Sequence, residues 1–128
     1  MIFSNDMLIG NSFPWSLVRL PIRAVPLSLG EFQRKLRQKS GIRSFWGHPD
    51  TLPEVSRFCG VDLTPRDERA VLQLSSEGFP SFDGEVFPVC YVISPEYEFY
   101  FRPGRETERN PEIIGWKIIE ISWENADK

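Results

Sequence analysis

The chain closes with a predicted β-strand, Trp116-Lys117-Ile118-Ile119-Glu120-Ile121-Ser122-Trp123. Its aromatic and β-branched residues are the types that strands favour. Working back from this strand, residues 97–101, residues 86–93 and residues 70–74 also predict strands. A Gly/Ser/Pro-containing connection at residues 75–84 and a polar loop at residues 102–111 separate them. The second half of the chain therefore predicts a sheet.

The first half mixes short strands with a helix. Residues 6–9 predict a strand, and residues 19–26 predict a second one. Two prolines in the second cannot donate ladder hydrogen bonds, so this strand should be short or lie at an edge of the sheet. A capping box begins the helix, because Ser28 and Glu31 can each bond the other's backbone N–H group. The apolar stripe of this helix consists of Leu29, Phe32 and Leu36.

A second helix is predicted between Asp50, as its N-cap, and Gly60, a natural C-terminal stop. Pro53 falls in the first turn, where no intrahelical N–H is needed. The predicted buried stripe consists of Leu52, Val55 and Phe58 or Cys59. Together these elements predict a single α+β domain over residues 1–128. We expect a mixed sheet of five or six strands with both helices on one face.

Composition limits the classes of function. The net charge of −3 and the pI near 5.2 argue against a general DNA or RNA binder, which needs a broad basic face. No apolar run is long enough to cross a bilayer and no signal peptide is evident, so a cytoplasmic location is the default expectation. The separated Cys59 and Cys90 predict reduced core thiols. With one histidine in the chain, no metal cofactor is expected.

That histidine lies in the segment Gly47-His48-Pro49-Asp50-Thr51, just before the second helix. An imidazole titrates near neutral pH and can transfer a proton, while a helix start offers free N–H groups to an anion such as phosphate. Taken alone, a histidine before a helix is more often a turn or capping residue. The same holds for Asn11 and Ser12, which are ordinary turn residues.

The order of these motifs resembles a known family, the small viral antagonists of type III CRISPR systems called ring nucleases. In that family a hydrophobic strand runs into a small residue, Asn, a small residue and Phe, as it does here at residues 10–13. The likeness is sharpest at residues 47–51, where the family has Gly-His, two variable residues and Thr. A helix ending in Cys-Gly and an arginine opening a strand follow, here at Cys59, Gly60 and Arg69.

The resemblance implies a symmetric homodimer that binds cyclic tetra-adenylate, the messenger of type III CRISPR effectors, in the cytoplasm of the infected cell. It implies cleavage of this ring to linear di-adenylate products without a metal or other cofactor. His48 matches the family's general acid. The residues implied to line the substrate site are Asn11, Ser12, Gly47, Asp50, Thr51 and Arg69.

The family also has a second catalytic patch, with Arg, two residues, then Glu, after a later strand. Arg105 and Glu108 have this spacing, and we take them as the counterpart. A different alignment places Glu96 and Glu98 there without a matching arginine. Pro14 stands where the family has a serine. These departures leave two other expectations open: a non-cleaving cyclic-nucleotide sponge or sensor, or a viral protein-interaction module.

Overall fold

The elements follow one another along the chain as short strands and helices, and then as two long strands. The structure is a computed structural model that describes residues 3–13, 15–46, 52–60, 72–100 and 108–123. Its elements are β1 (Met7–Gly10), a 3₁₀ turn (Trp15–Leu17), β2 (Ile22–Leu27), α1 (Leu29–Leu36), β3 (Ile42–Ser44), α2 (Leu52–Cys59), β4 (Gln73–Leu74), β5 (Pro80–Phe82), β6 (Glu85–Val86), β7 (Val89–Tyr100) and β8 (Glu108–Trp123).

The main sheet has five strands in the order β2-β8-β7-β1-β3. β1 runs parallel to both β3 and β7, while β8 is antiparallel to β7 and to β2. The sheet is therefore mixed, and the predicted α+β class is confirmed. β2 contains Pro26 and lies at an edge, as its prolines predict.

The two faces of the main sheet bury different layers because side chains alternate along each strand. On one face, Met7 and Ile9 of β1 pack with residues of both helices, among them Phe32 of α1 and Val55 of α2. On the other face, Leu8 packs with aromatic residues of a small sheet ordered β4-β5-β6. Both helices thus lie on one face, as predicted. Within the described residues, neither helix is long and apolar enough to span a bilayer.

Helix signals in the sequence match the structure closely. Ser28 caps α1, and its reciprocal hydrogen bonds with Glu31 form the predicted capping box. Gly60 ends α2 with φ of 74°, and its N–H donates to the Ser56 carbonyl. Leu52, Val55 and Cys59 form the buried stripe of α2. Cys59 and Cys90 are buried free thiols, which confirms that prediction.

Strand boundaries differ more from the prediction. β7 is one continuous strand, so the separate strand predicted at residues 97–101 is wrong, as is the loop at residues 108–111, which belong to β8. β7 and β8 pair with each other to Tyr100 and Glu108, so inter-strand hydrogen bonding outweighs the polar composition there. β4 lies within the strand predicted at residues 70–74, whereas β3 and the β5–β6 hairpin, which begins within the expected connection, were not predicted.

A cluster of charges ties β3 to the small sheet. The guanidinium of Arg43 on β3 donates to Asp6 at 3.1 Å, to Asp83 at 2.9 Å and to Glu85 at 2.7 Å. Asp83 and Gly84 have φ of 52° and 80° and form a two-residue hairpin turn between β5 and β6. Asp-Gly is the favoured sequence for such a turn because both positions need positive φ. The turn thereby holds one of the three carboxylates against Arg43.

A second charged cluster joins α1 to the sheet. The ammonium of Lys35 donates to Glu120 Oε2 at 2.7 Å, and the Tyr91 hydroxyl donates to the same oxygen at 2.9 Å. Burial above all, and then the negative charge of Glu120, raise the pKa of Tyr91. The neutral phenol is therefore the form that the folded protein stabilises.

We expect Gly10→Ala to lower the free energy of unfolding by about 1–3 kcal/mol, the usual cost of overpacking a core. The ring of Phe45 occupies the position that a Cβ at Gly10 would need. Chemical denaturation measures the change. Gly30→Ala is the matched control: no atom lies within 4 Å of its added Cβ, so stability should be unchanged or rise by about 0.5 kcal/mol. Equal stabilities of the two variants would contradict the packing argument.

Tyr91→Phe should lower the free energy of unfolding at pH 7 by about 1–3 kcal/mol, since the hydrogen bond that it removes has a charged acceptor. The folded pKa is raised, so this stabilisation is complete below the unfolded pKa of about 10 and declines as pH rises above it. Denaturation of both proteins from pH 7 to pH 11 tests this. A wild-type advantage that grows above pH 10 would be the contrary result.

Candidate functional site

The parallel strands β3 and β1 end beside Val92 of β7, which continues past them, and this part of the main sheet is here called the carboxyl edge. The register fixes their relative height: Ile9 pairs with Ser44 on one side, and Gly10 pairs with Val92 on the other. Ligands of open sheets with parallel strands commonly bind outside the carboxyl ends of those strands. This edge is the natural place to look for a site.

Asn11 and Ser12, two of the predicted site residues, follow β1 directly at the carboxyl edge. Asn11 is half-buried, and Ser12 is exposed. Phe13, the next residue, packs against the other core face with its ring centroid 5.7 Å from that of Trp123. The chain thus leaves the edge immediately after two polar side chains, which remain beside the end of β1.

β3 leads to the predicted histidine motif from the adjacent strand. The Phe45 N–H donates to the Ile9 carbonyl at 2.8 Å, so the chain still runs beside β1 as β3 ends. Trp46 is fully buried, and it belongs to the same core cluster as Leu52, the first residue of α2. These two residues flank the motif in the chain. The predicted site residues Gly47, His48, Asp50, Thr51, Arg69 and Arg105 lie outside the described residues.

Gly10 accounts for the close approach of these two strands. It is the last residue of β1, it is buried, and the Phe45 ring fills the space beside its Cα. Any side chain here would push β3 away from β1. Packing against Phe45 therefore explains why a glycine precedes Asn11, independently of any ligand at the carboxyl edge.

Glu108 is not brought to the end of β1 within one chain. It pairs with Tyr100, eight residues beyond Val92 along β7, which is about 26 Å along a straight strand. Glu96, the alternative partner, pairs with Gly115 and lies about 13 Å beyond Val92 by the same measure. Register shifts at Tyr97 bend the path between them. The structure describes the backbone of Glu96 and Glu108 but not their side chains.

The chemistry available at the described part of the carboxyl edge is polar and uncharged. Arg43, the cation on β3, is engaged by three carboxylates and is not free to bind an anion. Across the described residues no group of three or more His, Cys, Asp or Glu side chains is placed to hold a metal ion. Asn11 and Ser12 can supply hydrogen bonds to a ligand, which suits positioning more than proton transfer.

Trp15 is a surface feature that the sequence does not mark by itself. It follows the Gly-Asn-Ser-Phe motif by two positions and is 64% exposed, the one exposed large hydrophobic side chain among the described residues. Three-dimensional exposure distinguishes it from the buried Trp46 and Trp123, and a tryptophan in a loop gives no such signal in sequence.

No protein-family model matches the chain, and no curated protein matches it. Among solved structures, the chain is similar to B116 of Sulfolobus turreted icosahedral virus. The TM-score is 0.51 with 13% sequence identity, and the match covers 91% of this chain and 98% of that one. At this identity the likeness shows a shared fold, so the chain has the fold of a small archaeal-virus protein.

Proposed function

We propose that this protein binds cyclic tetra-adenylate and cleaves it to linear di-adenylate products without a metal, and so antagonises type III CRISPR signalling. One observation carries the proposal: the ring-nuclease-like motifs occur in the family's order, at residues 10–13, 47–51, 59–60 and 69. Their occurrence in a chain with the fold of an archaeal-virus protein supports it further.

The strand order also supports this assignment. The first motif begins at the end of β1, and the histidine motif follows the end of β3 in the chain. These strands are parallel neighbours and end at the same edge. A ligand bound at the carboxyl edge would therefore meet Asn11 and Ser12 and lie close to the residues that lead to His48.

The proposed reaction uses the ligand's own 2′-hydroxyl as the nucleophile. Its oxygen bonds to the neighbouring phosphorus and its proton passes to solvent water, as the bond from phosphorus to the 5′-oxygen breaks and a 2′,3′-cyclic phosphate end forms. His48 gives its proton to that leaving oxygen, as a general acid. Backbone N–H groups at the start of α2 and the guanidinium of Arg69 stabilise the added negative charge on the phosphate.

The acidic partner of His48 is the part of this scheme that the fold constrains most. Glu108 is about 26 Å along β7 and β8 from the end of β1. In a symmetric homodimer, however, the long β7–β8 hairpin of one chain can reach the site of the other. We therefore assign Arg105 and Glu108 to the partner's site, with Glu96 as the alternative within one chain.

Purified protein incubated with cyclic tetra-adenylate and EDTA should yield linear products, separated by chromatography. His48→Ala should reduce the rate by about 10²- to 10⁴-fold while leaving ring binding intact, because a general acid acts on the transition state. Gln73→Ala, an exposed change on the small sheet, is the control and should keep wild-type activity. An intact ring after incubation at high wild-type concentration would overturn the proposal.

Mixing the two inactive variants His48→Ala and Glu108→Gln should restore activity. If each site combines His48 of one chain with Glu108 of the other, every mixed dimer contains one intact site. Random pairing then gives about a quarter of the wild-type number of sites. No recovery after subunit exchange would place both residues in one chain. Full activity of Glu108→Gln by itself would remove Glu108 from the site, and Glu96→Gln then tests the alternative.

A second candidate function is a sponge or sensor that holds the ring without cutting it. If the protein is monomeric, the distance of Glu108 from the end of β1 favours the sponge or sensor, because Glu108 then cannot assist His48. Calorimetry measures binding of the ring, and chromatography measures the linear product. Tight binding without any linear product after prolonged incubation fits the sponge alone.

A further inference from the structure

Trp15 has an aromatic neighbour on one side although most of its surface faces solvent. Its ring meets that of Phe13 edge-to-face, with centroids 4.9 Å apart and planes at 78°. Phe13 in turn packs on the buried Trp123 at 5.7 Å. The Val18 N–H closes the turn by donating to the Trp15 carbonyl at 3.1 Å. An aromatic ring fixed in this way loses little conformational entropy when a partner covers it.

Arg19 places a positive charge on the same turn. Its Nη1 donates to the carbonyls of Ser16 at 2.9 Å and Val18 at 3.2 Å, which folds the guanidinium back toward the turn. In the part of the chain that is described, no carboxylate forms an ion pair with Arg19. No described carboxylate therefore occupies its remaining N–H groups, whereas three carboxylates occupy those of Arg43.

An exposed indole and, four residues later on the same turn, a guanidinium without a carboxylate partner among the described residues suit one ligand chemistry, a nucleotide. A nucleobase stacks on the face of an aromatic ring, and a guanidinium binds the phosphate. Arg19 also lines a groove of about 470 Å³ with Ser75, Ser76 and Glu77. The Glu77 carboxylate repels a phosphate from the groove, and the Ser16 and Val18 carbonyls occupy Nη1, so the phosphate is expected at the guanidinium N–H groups that face neither.

We propose that Trp15 is a stacking platform for an adenine base and that Arg19 binds the phosphate next to it. This inference rests on the proposed function for the identity of the base. Trp15 lies three positions after Ser12 in the chain, so their Cα atoms are at most about 11 Å apart. An adenylate ring held at Asn11 and Ser12 can therefore extend one of its bases onto Trp15.

Binding without turnover provides the test. All measurements use the His48→Ala variant in EDTA. Cyclic tetra-adenylate and linear tetra-adenylate are titrated while tryptophan fluorescence is recorded. Calorimetry replaces fluorescence for variants that lack Trp15. Because Trp46 and Trp123 are buried and Trp116 is partly buried against the core, Trp15 should account for much of the quenching. Trp15→Ala should raise the dissociation constant at least fivefold, the lower end for loss of one base stack, and Trp15→Phe should largely restore it.

Arg19→Ala should also weaken binding and reduce its salt dependence. Arg23→Ala is the matched control, since Arg23 is an exposed arginine on β2 and should leave binding unchanged. Thermal unfolding of each variant separates loss of binding from loss of fold. In the His48-intact protein, Trp15→Ala should raise KM and leave kcat within about twofold, because stacking holds substrate and transition state alike.

The outcomes separate this inference from the proposed function. If the wild type cuts the ring and Trp15→Ala binds as well as wild type, the platform is refuted and the cleavage stands. If no ring is cut but binding depends on Trp15 and Arg19, the platform stands alone. Self-association that depends on Trp15, without any nucleotide binding, would refute the platform and identify a protein interface.

Discussion

The fold depends on one short strand that is buried on both sides. β1 has only four residues, yet it joins β3 to β7 and packs against the helices through one face and the small sheet through the other. A strand in this position has no freedom to shift in register, because a shift of one residue would exchange its two faces. Every feature at the carboxyl edge takes its position from β1.

The parts of the fold that could be predicted are those with local causes. The capping box at Ser28, the stop at Gly60 and the edge prolines of β2 each act within a few residues, and all appear as expected. The missed elements depend on distant partners. β3 is three residues long, and its pairing with β1 rather than its composition makes it a strand.

The candidate site follows the same division. The sequence predicts that Asn11 and Ser12 follow a strand, because a turn begins there. It does not predict that β3 and β1 end at the same edge, since strand order depends on pairing between distant segments. The distance of Glu108 from β1 likewise emerges only when β7 proves to be continuous. The spacing of Arg105 and Glu108 can be read in the sequence. Where the β7–β8 hairpin places them relative to β1 can be read only in the structure.

The pairing of β1 with β7 also constrains how the chain folds. β7 and β8 lie near each other in sequence and can form their hairpin early, whereas Leu8 must find Cys90 across most of the chain. Closing the long loop between Leu8 and Cys90 lowers the chain entropy before stabilising contacts form, and this slows folding. β1 is thus expected to be among the last strands to dock, and until then the apolar faces of β7 remain uncovered and open to association with other chains.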